Sequence, residues 1–346
     1  MVKAKICLGI ESTAHTFGVG IINSNGNILA NCKRQFVAKS GEGLKPFDVS
    51  IHHYNCAVDI VSEALTEAKL KMKDIDVISF SQGPGLAPCL SVSATLARAL
   101  ADKYNKPIIG VNHCVSHIEI GKTILKCKDP LVIYTSGANT QIIAKDNGHY
   151  KILGETLDIG IGNLFDSFAR DMGYGFPGGP VLDKIYMENK ERNYIELPYS
   201  VKGMDLAFSG LQTAARKKIA TEKKEDLVYS FMHTAYAMLL EVTDRALSYT
   251  KKKEVIVIGG VAASSALKEM LEKLCSQNKI KLYIPPAIVC LDNGLLIADL
   301  GVKHFIHTYR GKGGMKLQET LINPKFRTDQ VKIDWWKHNE RTRFSL

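Results

Sequence analysis

The strongest constraint on how this chain can fold is an internal repeat. ICLGIESTAHTFGVGIINSNGNIL (6–29) and PLVIYTSGANTQIIAKDNGHYKIL (130–153) follow one plan. Each opens with an apolar strand, enters a turn of small polar residues, and continues through a second strand, an Asn-Gly turn and a third strand. Asn25-Gly26 and Asn147-Gly148 predict type I′ hairpins, because both central residues of that turn take positive φ. The next segments also correspond. VISFSQGPG (77–85) and VIVIGGVAAS (255–264) read as buried strands ending in small residues, and a helical pattern follows each. PIIGVNH (107–113) and KLYIPPAIVCLDN (281–293) then read as strands running into polar ends. Helical periodicity fills the intervening stretches 58–70 and 229–247.

The prediction is an α/β chain built of two similar lobes, 1–128 and 129–330. A Gly- and Pro-rich insertion interrupts the second lobe at about 154–228, and residues 331–346 form a basic tail. Ligands of such sheets sit at the carboxyl ends of the strands, which predicts a cleft between the lobes. The opening residues MVKAKICLGIES lack the long apolar run of a signal peptide, and no run is long enough to span a bilayer, so a cytoplasmic, non-membrane protein is expected. The eight cysteines form no CxxC pair and read as free thiols. The formal charge of +10 favours polyanionic partners such as nucleic acid. Lys325, Arg327, Lys332, Lys337, Arg341 and Arg343 concentrate part of it near the C-terminus.

Polar residues collect at the predicted strand ends. His113 and His117 in NHCVSH stand one helical turn apart. The repeat makes their position equivalent to that of Asp292 in CLDNG, so the three are expected to face each other across the cleft, with Tyr134 beside them. Two imidazoles and a carboxylate with open positions suit zinc or iron(II). HCVSH is not HExxH: Cys114 stands where a metallopeptidase has its glutamate, which argues against peptide cleavage. The turns ESTAHTFG, QGPG, SGANT, PGGP and GGVAAS bring glycine to strand ends or to the insertion, where backbone N–H groups approach phosphate closely. There is no Walker A or GxGxxG sequence. Glu11 reads either as a contact to phosphate or a cation, or as a solvated loop carboxylate. Asp166 and Asp183 read either as ribose partners or as helix caps. His52 and His53 open a helix, where surface or capping positions are expected.

Taken in order, GIESTAHTFGVGI, FSQGPGLAPCL, GVNHCVSHIEIG, YTSGANTQ, GETLDIGIGN, PGGP, KGMDLAFSGLQTA, GGVAAS and CLDNG closely resemble the tRNA N6-adenosine threonylcarbamoyltransferase family. The version is the catalytic subunit of the archaeal and eukaryotic KEOPS complex, related to bacterial TsaD. The resemblance runs over roughly residues 5–330. It implies a duplicated actin/Hsp70/sugar-kinase-like fold. It also implies transfer of threonylcarbamoyl from threonylcarbamoyl-AMP to N6 of adenosine 37, in tRNAs reading codons that begin with A. It places iron or zinc on His113, His117, Tyr134 and Asp292. The acyl-adenylate, or ATP or AMP in its place, falls on Tyr134, Thr135, Ser136, Gly137, Ala138, Asp166, Gly179, Asp183 and Ser264. The chain departs from the family at Ser264, where Asn is usual, and at Ala138, where Gly is usual. The implied partners are tRNA and the other KEOPS subunits, with a small atypical protein kinase expected as a separate chain. An ATP-dependent small-molecule kinase and an ATP-binding scaffold of the same fold are the alternatives.

Overall fold

The computed structural model describes residues 4–37, 45–333 and 335. The first half runs β1 (Ile6–Glu11), β2 (Thr16–Asn23), β3 (Ile28–Gln35), α1 (Pro46–Glu67), β4 (Val77–Gly83), α2 (Ala87–Tyr104), β5 (Ile108–Asn112) and α3 (His113–Leu125). The second half opens with β6 (Leu131–Thr135), β7 (Thr140–Asp146) and β8 (His149–Glu155). It continues through α4 (Ile161–Asp171), α5 (Gly179–Glu188), β9 (Val201–Lys202), β10 (Asp205–Leu206), α6 (Ser209–Lys218) and α7 (Lys224–Thr250). It ends with β11 (Glu254–Ile258), α8 (Ser265–Gln277), β12 (Lys281–Tyr283), α9 (Ala287–Cys290) and α10 (Gly294–His307).

The two five-stranded sheets have the same order, β3-β2-β1-β4-β5 and β8-β7-β6-β11-β12. In each the opening hairpin is antiparallel and the two later strands join in parallel. This is the duplication that the repeat predicts, in the actin-like topology that the resemblance implies. Where the first half connects β3 directly to α1, the second places α4, α5, α6 and the small β9–β10 pair between β8 and α7. The Asn-Gly turns differ from expectation in one respect. Asn147 and Gly148 both take positive φ, but at the first turn only Gly26 does. There the Asn23 side chain accepts from the backbone N–H groups of Asn25 and Asn27, so an Asx-type bond shapes the turn instead.

Two compact units emerge, and their boundary departs from the predicted lobes. The first comprises the described residues up to Lys126, Gly148–Tyr150, and those from Leu291 onward; the second comprises Cys127–Asn147 and Lys151–Cys290. Residues 291–330, expected in the second lobe, therefore belong to the first unit. Lys337, Arg341 and Arg343 of the expected basic tail lie outside the described residues.

Glycine explains the difference. In β2, Gly18 and Gly20 face α10, while Val19 between them joins the apolar core with Phe17, Ile60 and Phe80. A Cβ on Gly20 would lie 2.3 Å from the Leu295 nitrogen, and one on Gly9 of β1 would lie 2.2 Å from the Ala298 nitrogen. From the helix side, a Cβ on Gly294 would lie 2.0 Å from the Gly20 nitrogen. Ser79 of β4 donates to the Ile297 carbonyl at 2.8 Å. The helix thus rests on the sheet at backbone contact, which no other residue type permits.

The chain after α10 crosses the edge strand β5 as a strap. The Met315 N–H donates to the Ile108 carbonyl at 2.9 Å. Gln82 Nε2 donates to the Glu319 and Leu321 carbonyls, both at 2.7 Å. Arg98 Nε donates to Thr320 Oγ1 at 2.9 Å, and Asn112 Nδ2 donates to the Phe326 carbonyl at 3.0 Å. The strap covers an edge that would otherwise present unpaired backbone groups.

Gly20→Ala is expected to destabilise the protein by at least about 2 kcal/mol in denaturant unfolding, because the methyl meets backbone that has no room to yield. Gly175→Ala, with nothing within 4 Å of its Cβ, is expected to leave stability nearly unchanged.

Candidate metal and nucleotide site

The end of β5 delivers the two histidines. Asn112 caps α3, its Oδ1 accepting from the Val115 N–H at 3.0 Å. The helix therefore begins at His113, and His117 follows one turn later on the same face. Both are buried, at 7% and 1% exposure, with ring centroids 4.8 Å apart. Asp292 directly precedes Asn293, the cap residue of α10. Its Oδ1 lies 3.2 Å from His117 Nε2 and 3.4 Å from His113 Nε2. All three residues belong to the first unit, which corrects the expectation that Asp292 approaches from the opposite lobe. The seating of α10 on β1 and β2 carries Asp292 there.

Glu11 completes the group. It is the last residue of β1 and is fully buried, so the reading as a solvated loop carboxylate falls away. Its Oε2 lies 3.0 Å from His113 Nδ1, while Oε1 accepts from the Thr13 N–H at 2.6 Å and from the Thr13 hydroxyl. His113 thus stands between two carboxylates, with Nδ1 toward Glu11 and Nε2 toward Asp292. Burial opposes a charge on His113, yet Glu11 and Asp292 together raise its pKa well above the usual histidine range. Burial lowers the pKa of His117. Burial alone would raise Asp292, but His113 and His117 hold it well below the usual carboxylate range.

The two imidazole-to-carboxylate separations suit a tetrahedral ion. Ligand atoms about 2.0–2.1 Å from a common centre at tetrahedral angles lie about 3.3 Å apart. The two Nε2-to-Oδ1 separations, 3.2 and 3.4 Å, match that spacing. One donor atom from each residue falls within 4.8 Å of the others.

The predicted nucleotide residues gather in the second unit. Tyr134 and Thr135 end β6; Tyr134 is 1% exposed, and Thr135 Oγ1 donates to the Ile258 carbonyl. The turn through Ser136, Gly137 and Ala138 packs on the start of α4. The Asn163 N–H donates to the Gly137 carbonyl at 2.9 Å, and a Cβ on Gly160 would meet the Ala138 carbonyl carbon at 2.4 Å. On α4, Asp166 Oδ1 accepts from the N–H groups of Gly178 and Gly179 at 2.8 and 3.1 Å, holding the PGGP turn. Asp183 on α5 accepts from Ser264 Oγ at 2.6 Å, Ser265 N–H at 2.9 Å and Ala266 N–H at 3.0 Å. Ser264 in turn caps α8 by accepting from the Leu267 N–H. Asp166 and Asp183 therefore bind backbone in this structure.

Three features were not readable from the motifs. QGPG, one of the candidate phosphate loops, anchors the strap: Gln82 holds its carbonyls, and a Cβ on Gly83 would lie 1.8 Å from the Asn323 carbonyl oxygen. His53 is buried, not at the surface, with Nε2 2.7 Å from the Ala14 carbonyl oxygen in the turn after Glu11. Asn112 is both helix cap and strap anchor; its only sequence signal is an Asn directly before a helical pattern.

Residues 27–299 match the sequence pattern of a family described as TsaD, tRNA N6-adenosine threonylcarbamoyltransferase. A Thermococcus sibiricus protein named tRNA N6-adenosine threonylcarbamoyltransferase is 49% identical over 95% of this chain and 100% of its own length. A Methanosphaera stadtmanae protein, named a probable bifunctional tRNA threonylcarbamoyladenosine biosynthesis protein, is 48% identical over 99% of this chain and 62% of its own length. Among solved structures, Thermococcus kodakarensis HypF aligns with a TM-score of 0.62 at 14% identity, over 92% of this chain and 49% of that one. Component A of the Acidaminococcus fermentans (R)-2-hydroxyglutaryl-CoA dehydratase aligns with a TM-score of 0.53 at 13% identity, over 86% of this chain and 98% of that one. These structural likenesses concern the fold alone.

Asp183→Ala removes three hydrogen bonds at the start of α8. It is expected to lower stability by about 1–2 kcal/mol, the usual worth of a lost N-terminal cap, in urea unfolding without nucleotide.

Proposed function

This chain belongs to the TsaD family of tRNA N6-adenosine threonylcarbamoyltransferases, and we propose that His113, His117 and Asp292 hold the metal ion at which it works. Its activity is transfer of threonylcarbamoyl to N6 of an adenosine in tRNA. We further assign the donor as threonylcarbamoyl-AMP and the acceptor as adenosine 37 of tRNAs reading codons that begin with A. The observation that carries the metal assignment is the convergence of two buried imidazole nitrogens on one carboxylate oxygen, at 3.2 and 3.4 Å. The donor atoms suit zinc or iron. Tyr134 enters the proposal on the resemblance alone.

In the transfer, the amine N6 bonds to the carbamoyl carbon, the bond from that carbon to the phosphate oxygen breaks, and AMP departs as N6 loses a proton. His113, His117 and Asp292 would hold a zinc or iron ion, which would supply Lewis acidity toward carbamoyl or carboxylate oxygens. Glu11 holds the Nδ1 proton of His113 and so leaves Nε2 as the donor atom. In the second unit, the turn Ser136 to Ala138, Asp166, Gly179, Asp183 and Ser264 form the proposed bed for the adenylate. Four of the buried cysteines are unsuited to act as nucleophiles. Burial pushes Cys7 to about 12 and Cys89, Cys275 and Cys290 to about 11, far from a nucleophile at neutral pH. We assign direct transfer from the adenylate, with no covalent enzyme intermediate. A small-molecule kinase of this fold would have no use for the histidine pair.

No described helix is long and apolar enough to cross a membrane. The proposal places the chain in the cytoplasm with tRNA and the other KEOPS subunits, including a small atypical protein kinase as a separate chain.

His113→Ala combined with His117→Ala is expected to abolish both bound metal, read by elemental analysis, and modified nucleoside. The latter is read by mass spectrometry of tRNA after reaction with threonine, bicarbonate, ATP and the partner proteins. Retention of both would sink the metal assignment. Glu11→Gln is expected to weaken zinc binding roughly 10–100-fold in chelator competition, as the loss of a carboxylate behind a histidine ligand does. Unchanged affinity would remove Glu11 from that role.

A further inference from the structure

The strap that closes the first unit carries a surplus of cations. Between residues 310 and 332 it presents Arg310, Lys312, Lys316, Lys325, Arg327 and Lys332, all exposed, against two carboxylates, Glu319 and Asp329. Both carboxylates are occupied locally: Glu319 accepts from the Lys316 backbone N–H at 2.7 Å, and Asp329 pairs with Arg327 at 3.2 Å. Lys312, Lys316 and Lys325 form no ion pair with the described residues. In the second unit, some of the cluster lysines are paired. There Lys223 pairs with Glu191 at 2.8 Å and Lys218 with Glu222 at 3.2 Å.

The backbone of the strap is held inward. Gln82, Arg98 and Asn112 each donate to its carbonyls, and the Asn323 N–H donates to the Gln82 carbonyl at 2.8 Å. With the carbonyls turned to the protein, the long basic side chains point to solvent. The path is also defined. The strap meets Ile108 at Met315 and reaches Asn112 at Phe326 and Arg327, so it follows β5 from one end to the other. At about 3.3 Å per residue that strand measures about 13 Å between its end residues. Lys312 and Lys316 flank the Ile108 contact in sequence; Lys325 and Arg327 flank the Asn112 contact. The next residue after Asn112 is His113.

We propose that this strap is a rail for the tRNA phosphate backbone, set beside the metal site so that an RNA strand lying along it brings a nucleotide toward His113. The chemistry is that of backbone positioning: exposed, solvated lysines spaced along an extended segment neutralise phosphates without reading bases. The proposal rests on the reading of tRNA as substrate. It adds which surface receives the RNA.

The test compares three triple variants of the full chain, alone and in its reconstituted assembly, binding an unmodified tRNA transcript over a series of salt concentrations. In the first, Lys312→Gln, Lys316→Gln and Lys325→Gln remove charge from the rail. In the second, the same lysines become Arg. In the third, Lys190→Gln, Lys202→Gln and Lys253→Gln remove the same charge from the second unit. The rail Gln triple is expected to weaken binding at least tenfold near about 0.1 M salt. It should also lower the slope of log K against log salt by about two, at roughly 0.7–0.9 for each phosphate that is no longer neutralised. Metal content should stay at the wild-type level, and in the reconstituted reaction the KM for tRNA should rise more than kcat falls. The Arg triple and the second-unit triple should bind as the wild type does. The rail is wrong if its Gln triple binds like the second-unit triple, or if the wild type shows no tRNA binding in either form. A wild type that binds tRNA but makes no modified nucleoside would count against the proposed function, while the binding comparison still decides the rail.

Discussion

Everything that matters in the first unit depends on one backbone-to-backbone contact, the seating of α10 on β1 and β2. Glycine on both sides of that contact removes the layer of side chains that normally separates a helix from a sheet. The helix is drawn in by several ångströms, and its first turn comes to the carboxyl end of β1. That placement puts Asp292 against His117 and leaves Glu11, the last residue of β1, against the other face of His113. A methyl group at Gly9, Gly20 or Gly294 therefore acts on the site as well as on stability, because it moves the helix that carries a ligand.

The site that results gathers two carboxylates and two imidazoles, with Glu11 and both histidines buried and Asp292 partly exposed. Buried charges are costly unless paired, and here the pairing is internal: the protonated ring of His113 presents one N–H to Glu11 and the other to Asp292. The arrangement also separates roles. The carboxylate behind Nδ1 is tied to Thr13 and has no freedom to reach the other donors. Asp292 faces both Nε2 atoms and is the carboxylate available to a cation. Identical chemical groups thus become an orienting partner and a ligand through position alone.

The fold was largely legible in the sequence because repeat and turn chemistry are local signals. The Asn-Gly pairs, the alternating strands and the amphipathic helices mark the same plan twice, and both sheets adopt it. The histidine pair was legible for a similar reason, since a four-residue spacing on a helix is a local rule. Asp292 was picked out, but its route was misread. The repeat suggested opposite lobes, while its actual position depends on close packing between segments nearly 300 residues apart in sequence. The glycines that permit that packing look in sequence like any other small strand residues. The same limit applies to QGPG. Its composition is that of a phosphate loop, and only the approach of Asn323 to Gly83 reveals that the small residues make room for protein backbone. Asp166 and Asp183 read in the sequence as ribose partners or helix caps, and the backbone N–H groups they bind come from other elements, as with Gly178 and Ala266.

These contacts also tie the strap to the chemistry. Asn112 uses its carbonyl oxygen to start α3 and its amide to hold the strap, so one side chain links the helix bearing both histidines to the basic segment. Gly85 repeats the linkage on the other side. Its N–H meets the Pro324 carbonyl at 3.3 Å, and a Cβ there would lie 2.7 Å from the carbonyl oxygen of Thr13, the residue that holds Glu11. The strap is thereby fixed to both the ligand helix and the turn behind His113. A force applied along it by a bound polyanion is carried by hydrogen bonds and close packing, with no flexible loop between the gripping surface and the metal-binding face. Positioning a large substrate relative to a small reactive centre demands that rigidity, since a displacement of an ångström at the attacking amine costs orders of magnitude in rate. The physical economy of the first unit lies there: the residues that build its edge and its packing are the ones that set the distance between the proposed rail and the proposed metal site.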